Sequence, residues 1–268
     1  MKLIVMGAGY VGIALLKYFQ SQQSLHELCI TTTQLKRVSE LKPYGSQVLY
    51  LDPSDDTLFK EAIEWADGIV IAIAPKNSQN YKETYLATAR HVSKILKDKT
   101  RPFYLLSISS TSVYSGIDSE WAFEDQVLDP KTENAQILFE TENLYLNSGV
   151  SGCILRLGGI YGPNREIVDR IRHFSSKEME SSGNEPTNHI HRDDIVSAID
   201  FCIKNSLKGV FNLVNDSHPT RKALYSKLCS FKGVPGPIWG KVLKRGYKVS
   251  NQKIKERGFN FLCAEIEC

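Results

Sequence analysis

One run of residues near the start of the chain has the types and spacing to hold a charged ligand. In Gly7-Ala8-Gly9-Tyr10-Val11-Gly12, glycines occupy the first, third and sixth positions, directly after the apolar stretch Lys2 to Met6 and before a stretch of helical spacing. Each glycine then has its own task. The first permits a tight turn, the second lets the backbone approach a pyrophosphate, and the third lets helix and strand pack closely. A helix opening at Tyr10 and Val11 offers its amide groups and positive dipole end to the phosphates. The chemistry implied is dinucleotide binding through Gly7, Gly9, Tyr10, Val11 and Gly12.

The end of the second apolar stretch should select the cofactor, because an acid there receives a ribose 2′-hydroxyl whereas basic groups receive a 2′-phosphate. The run is Thr31-Thr32-Thr33-Gln34-Leu35-Lys36-Arg37, with no acid. Thr32, Lys36 and Arg37 therefore favour NADP over NAD, unless the two cations only begin a solvated helix. Asp52, after the third stretch, either receives the adenine amino group or caps the following helix. Ala74 and Pro75, after the fourth, offer a cofactor close access to the backbone.

These residues need a scaffold, and the periodicity supplies one. Short apolar runs at 2–6, 28–32, 47–51, 68–72 and 103–107 alternate with helical spacing at 11–20, 34–41, 56–65 and 79–96. Such alternation requires right-handed crossovers and a parallel sheet covered on both faces. A helix over 133–146 and a buried strand over 152–157 continue the pattern. It then loosens, with a Gly/Pro turn at 158–163, a helix near 194–202, a strand at 210–214 and a helix over 219–231. The expected fold is α/β, a doubly wound parallel sheet with a small C-terminal lobe. It forms a single domain, with residues 1–158 as the dinucleotide-binding core and 159–268 as the substrate-side lobe.

Composition narrows the functional classes. The apolar run Leu3 to Met6 is too short for a secretory or membrane segment, so a cytoplasmic protein with no membrane partner is expected. Six dispersed cysteines show no metal-ligand spacing, and no metal is expected. From Pro219 onward there are eleven Lys/Arg against three Asp/Glu. This basic segment is either a solvated face or an attractor for an anionic small molecule. Nucleic acid is disfavoured, because no aromatic RNP-like strand or arginine-rich stripe appears. The expected partners are a dinucleotide and a small-molecule substrate, with a homodimer as the candidate assembly.

Four ordered segments carry a resemblance: the glycine turn, Ser109-Ser110-Thr111-Ser112-Val113-Tyr114, Leu155-Arg156-Leu157-Gly158-Gly159-Ile160-Tyr161-Gly162-Pro163, and His189-Ile190-His191-Arg192-Asp193-Asp194-Ile195. Together they resemble the NAD-dependent epimerase/dehydratase family of extended short-chain dehydrogenase/reductases, which have a Rossmann fold. The resemblance implies that Ser110 is the catalytic Ser/Thr and that Gly159, Ile160 and Tyr161 lie beside the nicotinamide. It also implies that the His191 segment belongs to the substrate lobe, with Asp193 or Asp194 capping the next helix. Arg156 lies near the cofactor or is an ion-paired structural residue.

The family moves protons with a tyrosine and a lysine four residues later. Alignment on the helix containing Glu142 puts Asn134 and Leu138 at those positions. None of the twelve tyrosines has a lysine four residues on. The chain thus resembles the atypical branch that lacks the pair. Tyr114 is left as a surrogate acid or a packing residue. The expected function is an NAD(P)-dependent epimerase/dehydratase-like oxidoreductase on a sugar-type or nucleotide-linked hydroxyl or carbonyl substrate. The alternative is a noncatalytic NAD(P)-binding sensor or regulatory protein.

Overall fold

The computed structural model describes residues 1–51, 56–75, 80–172 and 176–266. In chain order the strands are β1 (Lys2–Met6), β2 (Glu27–Thr32), β3 (Gln47–Tyr50), β4 (Gly68–Ile71), β5 (Tyr104–Ser110), β6 (Trp121–Ala122) and β7 (Ser151–Leu157). They continue as β8 (Gly159–Tyr161), β9 (Glu178–Ser181), β10 (His189–His191), β11 (Gly209–Leu213), β12 (Ile238–Val242) and β13 (Lys248–Val249). The helices are α1 (Tyr10–Ser21), α2 (Val38–Leu41), α3 (Thr57–Trp65), α4 (Thr88–Lys97) and α5 (Glu133–Leu146). After them come α6 (Ile167–Arg172), α7 (Arg192–Lys204), α8 (Arg221–Lys232) and α9 (Gln252–Glu256).

The chain forms two compact units, residues 1–115, 129–156 and 196–211 in the first, and 116–128, 157–195 and 212–268 in the second. The helix and strand near 196–211, which the sequence pattern groups with the lobe, thus return to the first unit.

The first unit is built on a seven-stranded parallel sheet of order β11-β7-β5-β4-β1-β2-β3. Its strands are apolar on both faces because helices cover both. In β1, Ile4 and Met6 pack with Phe59 and Ile63 of α3 and with Val92 and Leu96 of α4, while Leu3 and Val5 on the opposite face are equally enclosed. The order reverses at β1, which lies between β2 and β4, so Met6 stands in register with both Thr31 and Ile71. The cleft of such a sheet opens at this point, beyond the carboxyl ends of the strands.

Two stretches of helical spacing are less regular than the pattern implies. Residues 34–41 form a 3₁₀ turn over Leu35–Arg37 and then the single turn of α2, and the helix ahead of α4 begins as a π-helix over Lys82–Ala87. Thr32 accounts for the first case, because its hydroxyl accepts the Gln34 N–H at 3.1 Å and ends β2 in a turn.

The second unit consists of short parallel pairs, β8 with β10, β9 with β12, and β6 with β13. Its core gathers Tyr161, Ile167, Val168 and Ile171 with Leu224, Leu228 and Ile266. Basic residues of the last fifth of the chain meet acids of this same unit, as in Lys244 with Glu180, Arg245 with Asp118, Lys248 with Glu120 and Lys255 with Asp216. These pairs offset much of the segment's charge locally and fit a solvated face. Among the described residues, no helix is long and apolar enough to cross a membrane.

Candidate functional site

Sterics at the carboxyl end of β1 account for two of the three glycines of the turn. Gly7 has φ +99°, and a Cβ there would stand 2.6 Å from the carbonyl oxygen of Ala72. A Cβ on Gly12 would stand 2.0 Å from the carbonyl oxygen of Gly7, so helix and turn meet backbone to backbone. Gly9 differs, since among the described residues nothing beyond its chain neighbours lies within 4 Å of where its Cβ would be. The first and third glycines are thus required by the fold, and the second keeps a space open. That space lies at the start of α1, whose N-cap is Gly9 itself, with no capping side chain and no acid in the first turn. A helix start left in this way attracts an anion. Val11 is buried in the core, so it can serve a ligand only through its backbone.

Residues after β2 and β4 flank the turn. Arg37 donates from Nη1 to the carbonyl oxygen of Ala8 at 2.7 Å, inside the glycine run. Its Nε and Nη2 bind the Glu40 carboxylate at 3.2 and 3.1 Å. The hydrogen bond to Glu40 raises the Arg37 pKa. Lys36 and Ala74 are exposed, Pro75 is half-buried, and Thr32 is enclosed with its hydroxyl on Gln34. Asp52 lies outside the described residues. A groove of about 470 Å³ lined by Phe19, Leu25, His26 and Tyr44 lies at the amino ends of β2 and β3, the wrong end of the sheet for a ligand of this turn.

The carboxyl end of β5 carries the other candidate residues. Ser110 is half-buried, and its Oγ accepts the Ser112 N–H at 3.2 Å to start a 3₁₀ turn over Thr111–Tyr114. Tyr114, a candidate proton donor on sequence grounds, is fully enclosed (0% exposed), and its hydroxyl accepts from Arg156 Nη1 at 2.9 Å. A phenol held in this way suits packing better than proton exchange with a substrate.

Arg156 in turn grips Glu142, with Nη2 to Oε2 at 2.7 Å and Nε to both carboxylate oxygens at 3.1 and 3.2 Å, and Ser109 donates to the same carboxylate. Side-chain exposure is 4% for Arg156 and 2% for Glu142, so the pair is a buried one. Burial alone would lower the Arg156 pKa, but the hydrogen bonds and charge of Glu142, with the Tyr114 phenol, carry it above its ordinary value. The ion-paired reading of Arg156 is the one found. Sequence reasoning missed Glu142 as its partner. The available signal was a carboxylate on the apolar face of α5, beside Leu138, Thr141 and Tyr145.

Leu138 is buried at 1% exposure, and Asn134, one turn earlier on α5, is half-buried. The structure therefore brings together the glycine turn, Arg37, Ala74 and Pro75 at one end of the sheet, and Ser110 stands at the same end on β5.

Within the second unit, Gly159, Ile160 and Tyr161 form β8, in register with His189, Ile190 and His191. The Tyr161 side chain belongs to the core, and its hydroxyl donates to the Glu265 carbonyl oxygen at 3.3 Å. Only the backbone of this strand is left to serve a cofactor. Asp194 is wholly buried, and its carboxylate accepts the N–H groups of Leu262 and Cys263 at 2.6 and 3.1 Å, tying the last described segment down. Burial raises its pKa against the lowering effect of those two bonds.

The sequence pattern of the NAD dependent epimerase/dehydratase family matches residues 3–213. No functionally curated protein matches the chain. Among solved structures, it is similar to a dTDP-glucose 4,6-dehydratase from Bacillus anthracis in complex with NAD, at TM-score 0.80 and 16% identity over 98% of this chain and 92% of that one. It is also similar to MoeE5 in complex with UDP-glucose and NAD, at TM-score 0.79 and 16% identity over 97% and 93%. A UDP-glucuronic acid 4-epimerase from Bacillus cereus, in complex with UDP-glucuronic acid and NAD, matches at TM-score 0.75 and 17% identity over 96% and 92%. At these identities the likeness is one of fold.

Proposed function

This chain belongs to the NAD dependent epimerase/dehydratase family, and on that premise we propose that it is an NAD(P)-dependent oxidoreductase acting on a sugar-type or nucleotide-linked hydroxyl or carbonyl group. The observation that carries the reading is Gly9, a position kept clear of every described atom within 4 Å at the uncapped start of α1. A dinucleotide would be held there by the backbone from Gly7 to Gly12, with Ala74 and Pro75 giving close backbone access. Once bound, it supplies the hydride donor or acceptor. Ser110 keeps its hydroxyl proton while its oxygen accepts from Ser112, so it remains able to donate to a substrate oxygen. Tyr114 is assigned to packing.

NADP is the proposed cofactor, although the solved relatives named above hold NAD. The support is Arg37, whose guanidinium is anchored on the turn itself. Replacing Arg37 by alanine should weaken NADPH binding at least about tenfold and NADH binding less than about threefold, the difference expected for one charge-assisted contact with a 2′-phosphate. Calorimetric titrations of both variants with both cofactors check this. An equal loss for the two cofactors would mean that Arg37 only braces Ala8, and the NADP preference would fall.

One observation favours a second reading. Leu138, at the position where the family carries its lysine, is an apolar side chain enclosed in the core, so no cation stands there to adjust a proton donor. A dinucleotide-binding protein without turnover would show cofactor affinity but no reduction of the oxidised nicotinamide when UDP-glucose or UDP-glucuronic acid is added. Sugar-dependent appearance of reduced-nicotinamide absorbance, hydride passing from a sugar hydroxyl carbon to the oxidised cofactor, would remove this second reading.

A further inference from the structure

The run from Thr31 to Arg37 holds no acid, yet the fold brings one to its end. Glu40, in the single turn of α2, lies three residues beyond Arg37, and its carboxylate accepts from Arg37 Nε at 3.2 Å and Nη2 at 3.1 Å. The third nitrogen of the guanidinium, Nη1, donates to the Ala8 carbonyl oxygen at 2.7 Å, beside the open position at Gly9. All of these residues belong to the first unit. The hydrogen bond from Arg37 lowers the Glu40 pKa, so the carboxylate is charged at neutral pH. Side-chain exposure is 24% for Arg37 and 58% for Glu40, so this is a surface pair within a ligand's reach.

An arginine has five N–H donors, and the edge made by Nε and a terminal nitrogen can grip a phosphate with two parallel bonds. At Arg37 Glu40 already fills that edge, and with Ala8 on Nη1 only two N–H groups are left for a ligand. A carboxylate in this place also repels an arriving 2′-phosphate, whereas it can accept a ribose 2′-hydroxyl. We infer that Glu40 sets how strongly the site prefers NADP over NAD, by holding the phosphate-gripping edge of Arg37 and keeping a like charge beside it. This inference rests on the dinucleotide reading given above. Arg37 gives the preference and Glu40 limits it. Glu40 is thus a positioning residue for Arg37, and its removal should change the two cofactors unequally.

The test is calorimetric titration of the full chain with NADPH and with NADH, for the unmodified protein and two variants. Glu40→Gln keeps the size of the side chain and removes its charge. Its NADPH affinity should rise at least about fivefold, the change expected for taking one like charge from beside an exposed phosphate, while NADH affinity stays within about twofold or falls. Glu40→Lys adds a cation and should raise NADPH affinity further, an order of Glu, Gln and Lys that the loss of a structural brace would not produce. Unchanged or lowered NADPH affinity in either variant, or an equal rise for both cofactors, would overturn the inference and leave the dinucleotide reading standing. An unmodified protein that binds neither cofactor would overturn that reading and this inference with it.

Discussion

Replacing Glu142 by alanine is expected to lower the melting temperature by on the order of 10 °C, a loss of about 3–5 kcal/mol for stranding one partner of a buried pair. The reason is the company Glu142 keeps. Its carboxylate takes three hydrogen bonds from Arg156 and one from Ser109, in a place almost without solvent. Without it, the guanidinium keeps its charge, because an arginine does not neutralise by losing its proton. Tyr114 would remain as an acceptor for Nη1 alone.

Substituting both partners, Glu142→Met with Arg156→Met, should recover much of the loss, since a buried pair is costly to assemble and most costly to halve. Tyr114→Phe should cost less, about 1–3 kcal/mol, because it leaves a single N–H without its acceptor. Thermal denaturation of the three variants beside the parent checks the series. A Glu142→Ala protein that melted within 2 or 3 °C of the parent, roughly 1 kcal/mol, would show that the cluster does not hold the carboxyl end of β5 in place.

The second large effect is on binding. Gly9→Asp should weaken dinucleotide binding at least about 100-fold, because a carboxylate placed against a pyrophosphate costs several kcal/mol. The fold should not suffer. Gly9 has φ −87° and serves as the N-cap of α1 without a capping side chain, and aspartate is among the preferred residues at that position. Among the described residues, no atom beyond its chain neighbours lies within 4 Å of the new Cβ. The expected signature is therefore lost binding with an equal or higher melting temperature. Gly12→Ala makes the contrast, because its Cβ would meet the Gly7 carbonyl oxygen at 2.0 Å, so that variant should lose stability together with binding.

The parts of the fold that were legible in the sequence are those where a local rule and the tertiary demand coincide. The runs 2–6 and 133–146 read as a strand and a helix, and β1 and α5 have those bounds. The glycine turn was legible because a missing Cβ is visible in the sequence, and two of its glycines are fixed by backbone contacts of 2.6 and 2.0 Å. Glu142 was not legible as a core residue, since a glutamate in a helix ordinarily reads as a solvated position. Only the fold brings Arg156 of β7 beside it. The short pairs of the second unit were missed for another reason. β8, β10 and β9 are three or four residues long and find partners in distant segments, so neither periodicity nor turn chemistry marks them. Arg37 was named for its charge, whereas its bond to Ala8 could be seen only once β2 was placed beside β1.

The central claim is that the open position at Gly9 holds a dinucleotide, and calorimetric titration of the parent chain and Gly9→Asp with NADPH and NADH tests it most directly. Saturable binding of NADPH to the parent, weaker binding of NADH, and loss of both in a folded Gly9→Asp protein is the predicted result. Absence of binding to the parent, or unchanged affinity in the variant, would contradict it.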